Sequence, residues 1–196
     1  MTTAPLSRRD AILAAAEREF AAAGYAGARI ERIAVAAKVN KQLLFHYFDS
    51  KEGLFAAALA SLIGRLDGDA SPGATPIEQI RAVLGVLLRA VRATPGIVAI
   101  IADAGVNPNF PAEASALVRA WRGRMLGRLS AAIEDGQRRG YFRDDIEPRV
   151  VAGVAAAAAL GLGALAAPDG RAESNGTDAI TDSYLTQFVA DYCAWR

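Results

Sequence analysis

Two short helical segments separated by only three residues constrain the fold of this chain more than any other feature of its sequence. The first segment carries small or apolar residues at positions i, i+3, i+4 and i+7 over barely two turns, namely Ile30, Ile33, Ala34 and Ala37. After Lys38 to Asn40, a second segment runs through Leu44 to Tyr47, with Asn40 as a favourable N-cap. Leu44 and Phe48 stand at i and i+4 on its apolar side. The sequence therefore predicts two short helices joined by a tight turn.

A longer helix precedes this pair, and the three helices together have the architecture of a helix-turn-helix DNA-binding unit. The preceding helix begins at Ser7, which with Asp10 predicts an N-terminal cap, and it ends at Gly24. Ala34 is small, as is required where the two short helices cross, and Val39 adds an apolar contact in the turn. This spacing alone is moderately specific, because any pair of packed helices needs similar contacts.

The rest of the sequence also has helical periodicity, with one clear boundary at Asp67 to Pro76, which is rich in Gly, Pro and Asp. Before this boundary, a fourth helix begins with either Asp49 or Ser50 as its N-cap and runs to about Leu66. Beyond it, further helices are predicted at about 77–93, 97–104, 111–139, 149–166 and 178–194. No strand pattern or internal repeat competes with this interpretation, so we expect an all-α protein of about nine helices.

The net charge is only +1, which excludes a bulk electrostatic attraction to nucleic acid or membranes and leaves local patches. Such a patch lies between Arg29 and Lys51, a segment that contains five basic and two acidic side chains. Cys193 is the only cysteine, so an intramolecular disulfide and a cysteine zinc cluster are excluded. The first residues lack the apolar core of a signal peptide, and we therefore expect the protein in the cytoplasm.

An uncharged run of 18 residues, Val150 to Ala167, keeps a membrane-associated protein open as an alternative. The run consists mainly of Ala and Gly, and no aromatic anchors stand at its ends. This composition favours a tightly packed helix of a soluble protein. We therefore expect no contact with a membrane.

A series of landmarks between Ala11 and Leu59, about a quarter of the chain, falls at the spacing of one known family. In chain order these landmarks are Phe20, Gly24-Tyr25, Ile33-Ala34, Val39-Asn40-Lys41, Leu44-Phe45-His46-Tyr47-Phe48 and Ser50-Lys51-Glu52. With them, the stretch resembles the N-terminal domain of TetR-type transcriptional regulators. The segment Glu134 to Ala152 resembles, more weakly, the connector before the penultimate helix of that family.

The resemblance implies a DNA-binding domain at residues 6–66, with its helix-turn-helix at about 29–48, and a ligand-binding and dimerisation domain at 75–196. It also implies a homodimer that forms through the last two helices and binds a palindromic operator in double-stranded DNA. We predict a transcriptional repressor that an unidentified small molecule releases from DNA, without enzyme activity, cofactor or metal. The alternatives are a helical enzyme or small-molecule-binding protein, and a membrane-associated protein.

In this family the third helix enters the major groove, so the resemblance assigns sequence readout to its N-terminal half. Gln42 can hydrogen-bond adenine N6 and N7, and Leu43 would contact a thymine methyl group. The other candidates would bind phosphates or support the turn: Arg29, Lys38, Asn40, Lys41, His46, Tyr47 and Lys51. Solvated surface is the alternative for the cations, and packing is the alternative for His46 and Tyr47. A catalytic His46 is disfavoured, since no cysteine, serine–acid pair or second histidine stands near it in sequence.

Three residues depart from the family pattern. Lys38 stands where glycine is frequent, and a left-handed backbone there would cost roughly 1 kcal/mol. Asn40 replaces the usual serine or threonine N-cap, which is a nearly equal exchange. Phe45 replaces a common tyrosine whose hydroxyl bonds a DNA phosphate in family members, so this contact should be absent.

The effector pocket of the family lies among the middle helices, which directs attention to the residues after 76. The apolar candidates for its lining are Leu88, Ile101, Phe110, Trp121 and Met125. Asp103 and Asn107 are the polar candidates. For each apolar candidate, a place in the ordinary hydrophobic core is the favoured alternative.

Overall fold

The computed structural model of the chain describes residues 7–67, 75–94 and 96–165, with side chains through residue 161. These ranges form eight α-helices and no β-strand. The helices are α1 (Arg8–Gly27), α2 (Ile30–Ala36), α3 (Lys41–Phe48), α4 (Lys51–Leu66), α5 (Pro76–Ala93), α6 (Gly96–Val106), α7 (Ala112–Arg138) and α8 (Pro148–Leu165). The predicted all-α class is confirmed. The predicted last helix, at about 178–194, lies outside the described residues.

The helices divide into two compact units. The first unit contains Met1–Gly64 and Gly96–Arg119, so α6 and the start of α7 belong with α1 to α4. The second unit contains Arg65–Pro95 and Ala120–Arg196 and so holds α5, most of α7 and α8. The division into functional domains at 6–66 and 75–196 stays a prediction.

The start of α1 follows the predicted signal, whereas its end lies three residues beyond the predicted Gly24. The Ser7 hydroxyl oxygen accepts a hydrogen bond from the Asp10 backbone N–H at 3.1 Å, which caps the N-terminus. Gly24 has φ 66° and ψ 179°, so the helical backbone is interrupted at the residue predicted to end it, and α1 resumes through Gly27. Glycine occupies this left-handed region without the steric cost of a side chain.

Aromatic rings form the centre of the first unit. Phe55 of α4 is 1% exposed, and its ring centroid lies 4.8 Å from that of Phe20 and 5.5 Å from that of Phe110. Both pairs meet edge to face, an arrangement that adds to the stabilisation from burial alone. Phe110, in the loop after α6, therefore belongs to the core of the first unit.

The second unit is built on a well-capped α5 that packs against α8. Thr75 and Glu78 form a reciprocal capping box, and Pro76 occupies the first turn. The buried residues of α5 recur at helical spacing on one side: Ile80, Leu84, Leu87, Leu88 and Val91. The buried side of α8 consists largely of alanine, which allows its backbone to approach neighbouring helices closely.

The connector between α7 and α8 is held by side chains of α7. Gln137 Nε2 donates hydrogen bonds to the carbonyl oxygens of Arg143 and Ile146, both at 2.9 Å. Phe142 is buried against Gly136, where an added Cβ would lie 2.0 Å from the ring. The loop is therefore fixed to α7 by polar and apolar contacts at once.

No single helix in the described ranges is long and apolar enough to span a membrane, and α5 and α6 pass that test only when counted together. The uncharged run that begins at Val150 lies largely in α8. Ala152 and Ala159 of this helix are at most 1% exposed, whereas Val150 and Val154 are 58% and 46% exposed. Described residues of α8 thus have one buried side and one exposed apolar side.

The packing of α6 against α1 depends on Gly96. A Cβ at this position would lie 1.9 Å from the Ala21 carbonyl oxygen, which is backbone and cannot move aside. We expect Gly96→Ala to lower the free energy of unfolding by about 1–3 kcal/mol.

Gly123→Ala is the control, since its Cβ would meet nothing within 4 Å. That change should stabilise α7 by about 0.5–1 kcal/mol. Urea unfolding of both variants measures the difference, and equal midpoints would contradict the close approach.

Candidate nucleic-acid interface

The turn between α2 and α3 is fixed by backbone and capping hydrogen bonds. Lys38 has φ 56°, so it adopts the left-handed conformation considered for this position. The Val39 N–H donates to the Ala34 carbonyl oxygen at 3.0 Å. Asn40 Oδ1 accepts from the Leu43 N–H at 2.7 Å, which confirms the predicted N-cap of α3. The direction in which α3 leaves the turn is therefore set by local bonds.

Apolar packing determines which side of α3 faces outward. Leu44 is fully buried and Phe48 is 5% exposed, while Ile33 and Ala34 of α2 are buried beneath them. Gln42 is exposed on the opposite side of the helix. The buried side of α3 is thus the predicted one, and its remaining surface is free to meet a ligand.

The nine candidate DNA-contacting residues lie in or beside this helix-turn-helix. Seven are exposed, whereas Leu43 and Lys51 are half-buried. The exposed ones are Arg29, Lys38, Asn40, Lys41, Gln42, His46 and Tyr47. Exposure is necessary for contact with DNA, and no partner is present to test each contact. The nine contacts stay predictions.

Two cations of this surface are engaged with carboxylates. Lys41 Nζ lies 2.7 Å from Glu31 Oε1, an ion pair between the start of α3 and the first turn of α2. Arg32 Nη1 lies 3.8 Å from Glu19 Oε1. The hydrogen bond from Lys41 is the main cause that lowers the pKa of Glu31. Glu31 was not a predicted functional residue, because ten residues separate it from Lys41 and no helical spacing pairs them.

A second cluster joins the end of α1 to the start of α4. The Tyr25 hydroxyl donates to Glu52 Oε1 at 2.5 Å, and Lys51 Nζ lies 4.9 Å from the Tyr25 ring centroid. Burial and then the bond to Glu52 raise the pKa of Tyr25 to about 12, while the same bond lowers the pKa of Glu52. Because the folded pKa of Tyr25 is raised, its contribution to stability is complete below about pH 10 and is lost towards pH 12.

Capping at the start of α4 distinguishes between the two predicted residues. The Ser50 hydroxyl oxygen accepts from the Gly53 N–H at 3.0 Å. Asp49 instead has φ 58° and ends α3. Ser50 is therefore the N-cap, and it places Lys51 in the first turn of α4.

The aromatic and histidine candidates of α3 have separate surroundings. The Phe45 ring is half-buried, with Lys41 Nζ 5.9 Å from its centroid. The His46 ring lies edge to face with Tyr47 at a centroid distance of 5.6 Å. Among the described residues, no group of three His, Cys, Asp or Glu side chains is arranged to hold a metal ion.

The candidate effector residues are divided between the two units. Ile101, Asp103, Asn107 and Phe110 lie in the first unit. There Asn107 Nδ2 donates to Asp103 Oδ2 at 3.3 Å. The candidates in the second unit are buried: Leu88, Trp121 and Met125. Trp121 is 1% exposed, yet its Nε1–H has no hydrogen-bond partner among the described residues.

Comparison with known proteins identifies the family. Residues 12–58 match the family model described as bacterial regulatory proteins, tetR family, and residues 76–164 match a tetracyclin repressor-like C-terminal domain. The HTH-type transcriptional repressor NicS of Pseudomonas putida is 35% identical over 147 residues, which cover 70% of this chain and 67% of NicS. The chain belongs to the TetR family.

Other members of the TetR family agree with this assignment. The HTH-type transcriptional repressor SCO4008 of Streptomyces coelicolor is 35% identical over 145 residues, 72% of this chain and 71% of that protein. The fold is shared with the ketosteroid transcriptional regulator KstR2 of Mycobacterium tuberculosis, at a TM-score of 0.77, 20% identity and 98% coverage of both chains. AibR, solved with isovaleryl coenzyme A and operator DNA, has a TM-score of 0.76 and 23% identity, covering 92% of this chain and 97% of AibR.

As a TetR-family member, the chain is a DNA-binding transcriptional regulator and not an enzyme. The predicted family, fold class and class of function are thereby confirmed, and a helical enzyme is excluded. The matched residues 12–58 include the whole helix-turn-helix and every predicted DNA-contacting residue.

The left-handed residue in the turn of this TetR-family domain is testable with two substitutions. Lys38→Gly and Lys38→Ala both remove the ammonium group, but only glycine adopts a φ of 56° without strain. We expect the glycine variant to be more stable than the alanine variant by roughly 1 kcal/mol in urea unfolding. Their DNA affinities should be equal, since both lack the charge. An alanine variant as stable as the glycine variant would show that the turn is unstrained.

Proposed function

We propose that this TetR-family protein is a repressor that binds a palindromic operator as a homodimer and is released by a small apolar effector. The observation that carries the proposal is α3, which has Leu44 and Phe48 buried while Lys41 and Gln42 are exposed. A helix held in this way can enter a major groove without disturbing its own packing. A cytoplasmic location is part of this proposal, because the DNA of a bacterium lies in its cytoplasm.

Direct readout of bases is assigned to Gln42 and Leu43 in this proposal. Gln42 is exposed on α3, and its amide has the donor and acceptor needed for adenine N6 and N7. Phosphates would be bound by the flanking cations and polar side chains, which set the position of α3 without reading sequence. Phe45 offers no hydroxyl, so these cations provide a larger share of the phosphate contacts.

Dimerisation is supported by the exposed apolar side of α8. Val150, Val154 and Ala157 follow one another at i, i+4 and i+7, and all three are exposed. An apolar stripe at helical spacing is unfavourable in water and is satisfied by a second copy of the chain. Two copies would present two recognition helices about 34–36 Å apart, the distance between successive major grooves on one side of DNA.

Effector binding in the second unit is supported by the unpaired Nε1–H of Trp121. A buried donor without a partner costs about 1–3 kcal/mol, and an acceptor atom of a ligand would recover part of this cost. One structural neighbour is named a ketosteroid transcriptional regulator, and another is solved with isovaleryl coenzyme A. A ketosteroid and an isovaleryl group each join an apolar body to a carbonyl oxygen. We therefore propose an apolar, carbonyl-bearing effector that pairs with Trp121.

Operator binding is tested by selecting duplexes from a random pool with the full-length protein and by measuring their binding at several salt concentrations. We expect a palindromic consensus, two chains per site, and an affinity that falls steeply as salt increases. Failure to select any sequence, with no salt-sensitive binding to DNA from the protein's own promoter region, would reject operator binding. The protein would then be a helical small-molecule-binding protein that lacks an operator.

Gln42→Ala and Lys51→Ala separate base readout from phosphate binding. Gln42→Ala should relax the base preference at one position of each half-site, at a cost of about 1–3 kcal/mol for the preferred base. Lys51→Ala should weaken binding to all sequences alike and reduce the log–log salt slope by about 0.9 for each lost phosphate contact. Competition binding with single-base operator variants measures both effects. Equal effects of the two substitutions would contradict this division of roles.

The effector proposal is tested with isovaleryl coenzyme A and a 3-ketosteroid as probes. In a Trp195→Phe variant, Trp121 is the only tryptophan, so its fluorescence reports binding directly. A probe that binds should also release the operator. Trp121→Phe retains most of the ring volume but lacks the donor, so the probe concentration needed for release should rise about 2- to 10-fold. Release at the same concentration from both proteins would contradict the role of Trp121.

A further inference from the structure

The pair formed by Lys41 and Glu31 lies in the part of the surface that the proposed function directs towards DNA. Lys41 is the first residue of α3 and precedes Gln42, the residue proposed to read bases. Its ammonium is 2.7 Å from the Glu31 carboxylate, and the two side chains are 53% and 67% exposed. A DNA phosphate that reaches Lys41 must therefore approach a position already occupied by an anion.

A carboxylate and a phosphate offer an ammonium group the same kind of bond. Both present anionic oxygen atoms, and both form charge-assisted hydrogen bonds with a lysine at about 2.7–2.9 Å. The distance from Lys41 to Glu31 is within this range. Phosphate binding by Lys41 thus replaces one charge-assisted bond with another, and Glu31 is left as an unpaired anion beside the DNA backbone.

We propose that Glu31 is an affinity-setting residue that competes with operator phosphates for Lys41. The inference rests on the proposed operator binding and adds to it an acidic residue that acts against it. Glu31 weakens the binding of every sequence by a similar factor and leaves the choice of bases to Gln42. An exposed ion pair of this kind contributes little, so the factor is only about 2 to 5.

The neighbouring acidic residue Glu19 has a different role. Its side chain is 16% exposed, and Oε1 accepts the backbone N–H of Arg29 at 3.1 Å while it faces Arg32. Glu19 therefore anchors the start of α2 to α1. Among the described residues, the bond to Lys41 is the only one that Glu31 makes to another helix. The pKa of Glu31 is lowered chiefly by this bond, so its carboxylate is ionised at neutral pH. Substitution of Glu31 consequently tests charge competition without removing an anchor.

Salt dependence provides a signature of this competition. Each phosphate that a cation neutralises releases condensed counterions and contributes about 0.9 to the log–log slope. When Lys41 leaves Glu31, the free carboxylate attracts a cation from solution, which offsets part of that release. The slope of the wild-type protein should therefore be shallower than that of Glu31→Gln, by no more than about 0.9.

The test measures binding of full-length wild type, Glu31→Gln, Lys41→Met and the double variant to the selected operator and to a scrambled duplex. Glu31→Gln should bind both duplexes about 2 to 5 times more tightly at low salt, with an unchanged base preference. In the Lys41→Met background the same substitution should give a smaller gain, because the competition is removed and only the repulsion between Glu31 and DNA remains. Glu113→Gln is the matched control, because Glu113 is an exposed glutamate in the first turn of α7. This substitution changes the net charge by the same amount as Glu31→Gln.

The outcomes separate the inference from the proposed function. If the wild-type protein binds no operator, the proposed function itself is rejected. Operator binding that Glu31→Gln leaves unchanged or weakens would overturn the inference alone, as would an equal gain in Glu113→Gln. A gain of undiminished size in the Lys41→Met background would also overturn it, because Glu31 would then act by repelling DNA and not by competing for Lys41. Thermal unfolding of all variants verifies that the fold is retained.

Discussion

Burial of one side of α3 is the constraint on which the rest of the DNA-binding surface depends. Leu44 and Phe48 are one turn apart and both are buried, so the rotation of α3 about its own axis is fixed. The cap at Asn40 and the left-handed residue Lys38 then fix the direction of the helix. These contacts therefore determine the position of every exposed side chain of α3. A change in the packing beneath α3 would therefore move the candidate DNA contacts on this helix together: Lys41, Gln42, Leu43, His46 and Tyr47.

Local signals made much of the fold predictable from sequence. Ser7 and Asn40 each act through a bond within a few residues, and the structure has both in the predicted role of N-cap. Gly24 interrupts α1 at the predicted position but does not end it, since the helix continues to Gly27. The choice between Asp49 and Ser50 was open in the sequence, because both residue types cap helices well. The structure selects Ser50, whose hydroxyl reaches the Gly53 N–H.

Contacts between distant segments were not predictable from the same signals. The association of α6 with α1 depends on Gly96 meeting a backbone carbonyl 75 residues earlier, and no periodicity describes such a contact. The bond between Glu31 and Lys41 crosses the turn and follows no helical spacing. In the second unit, the sequence marks Trp121 only as a large apolar residue. Its unpaired N–H depends on which groups the fold places around it.

The hydrogen bond between Tyr25 and Glu52 has a mechanical consequence. It joins the last turn of α1 to the first turn of α4, and the Tyr25 ring also lies 5.0 Å from Phe55 one turn further along α4. The first two turns of α4 are thereby held against the end of α1. A displacement of the first two turns of α4 would therefore carry the end of α1 with it.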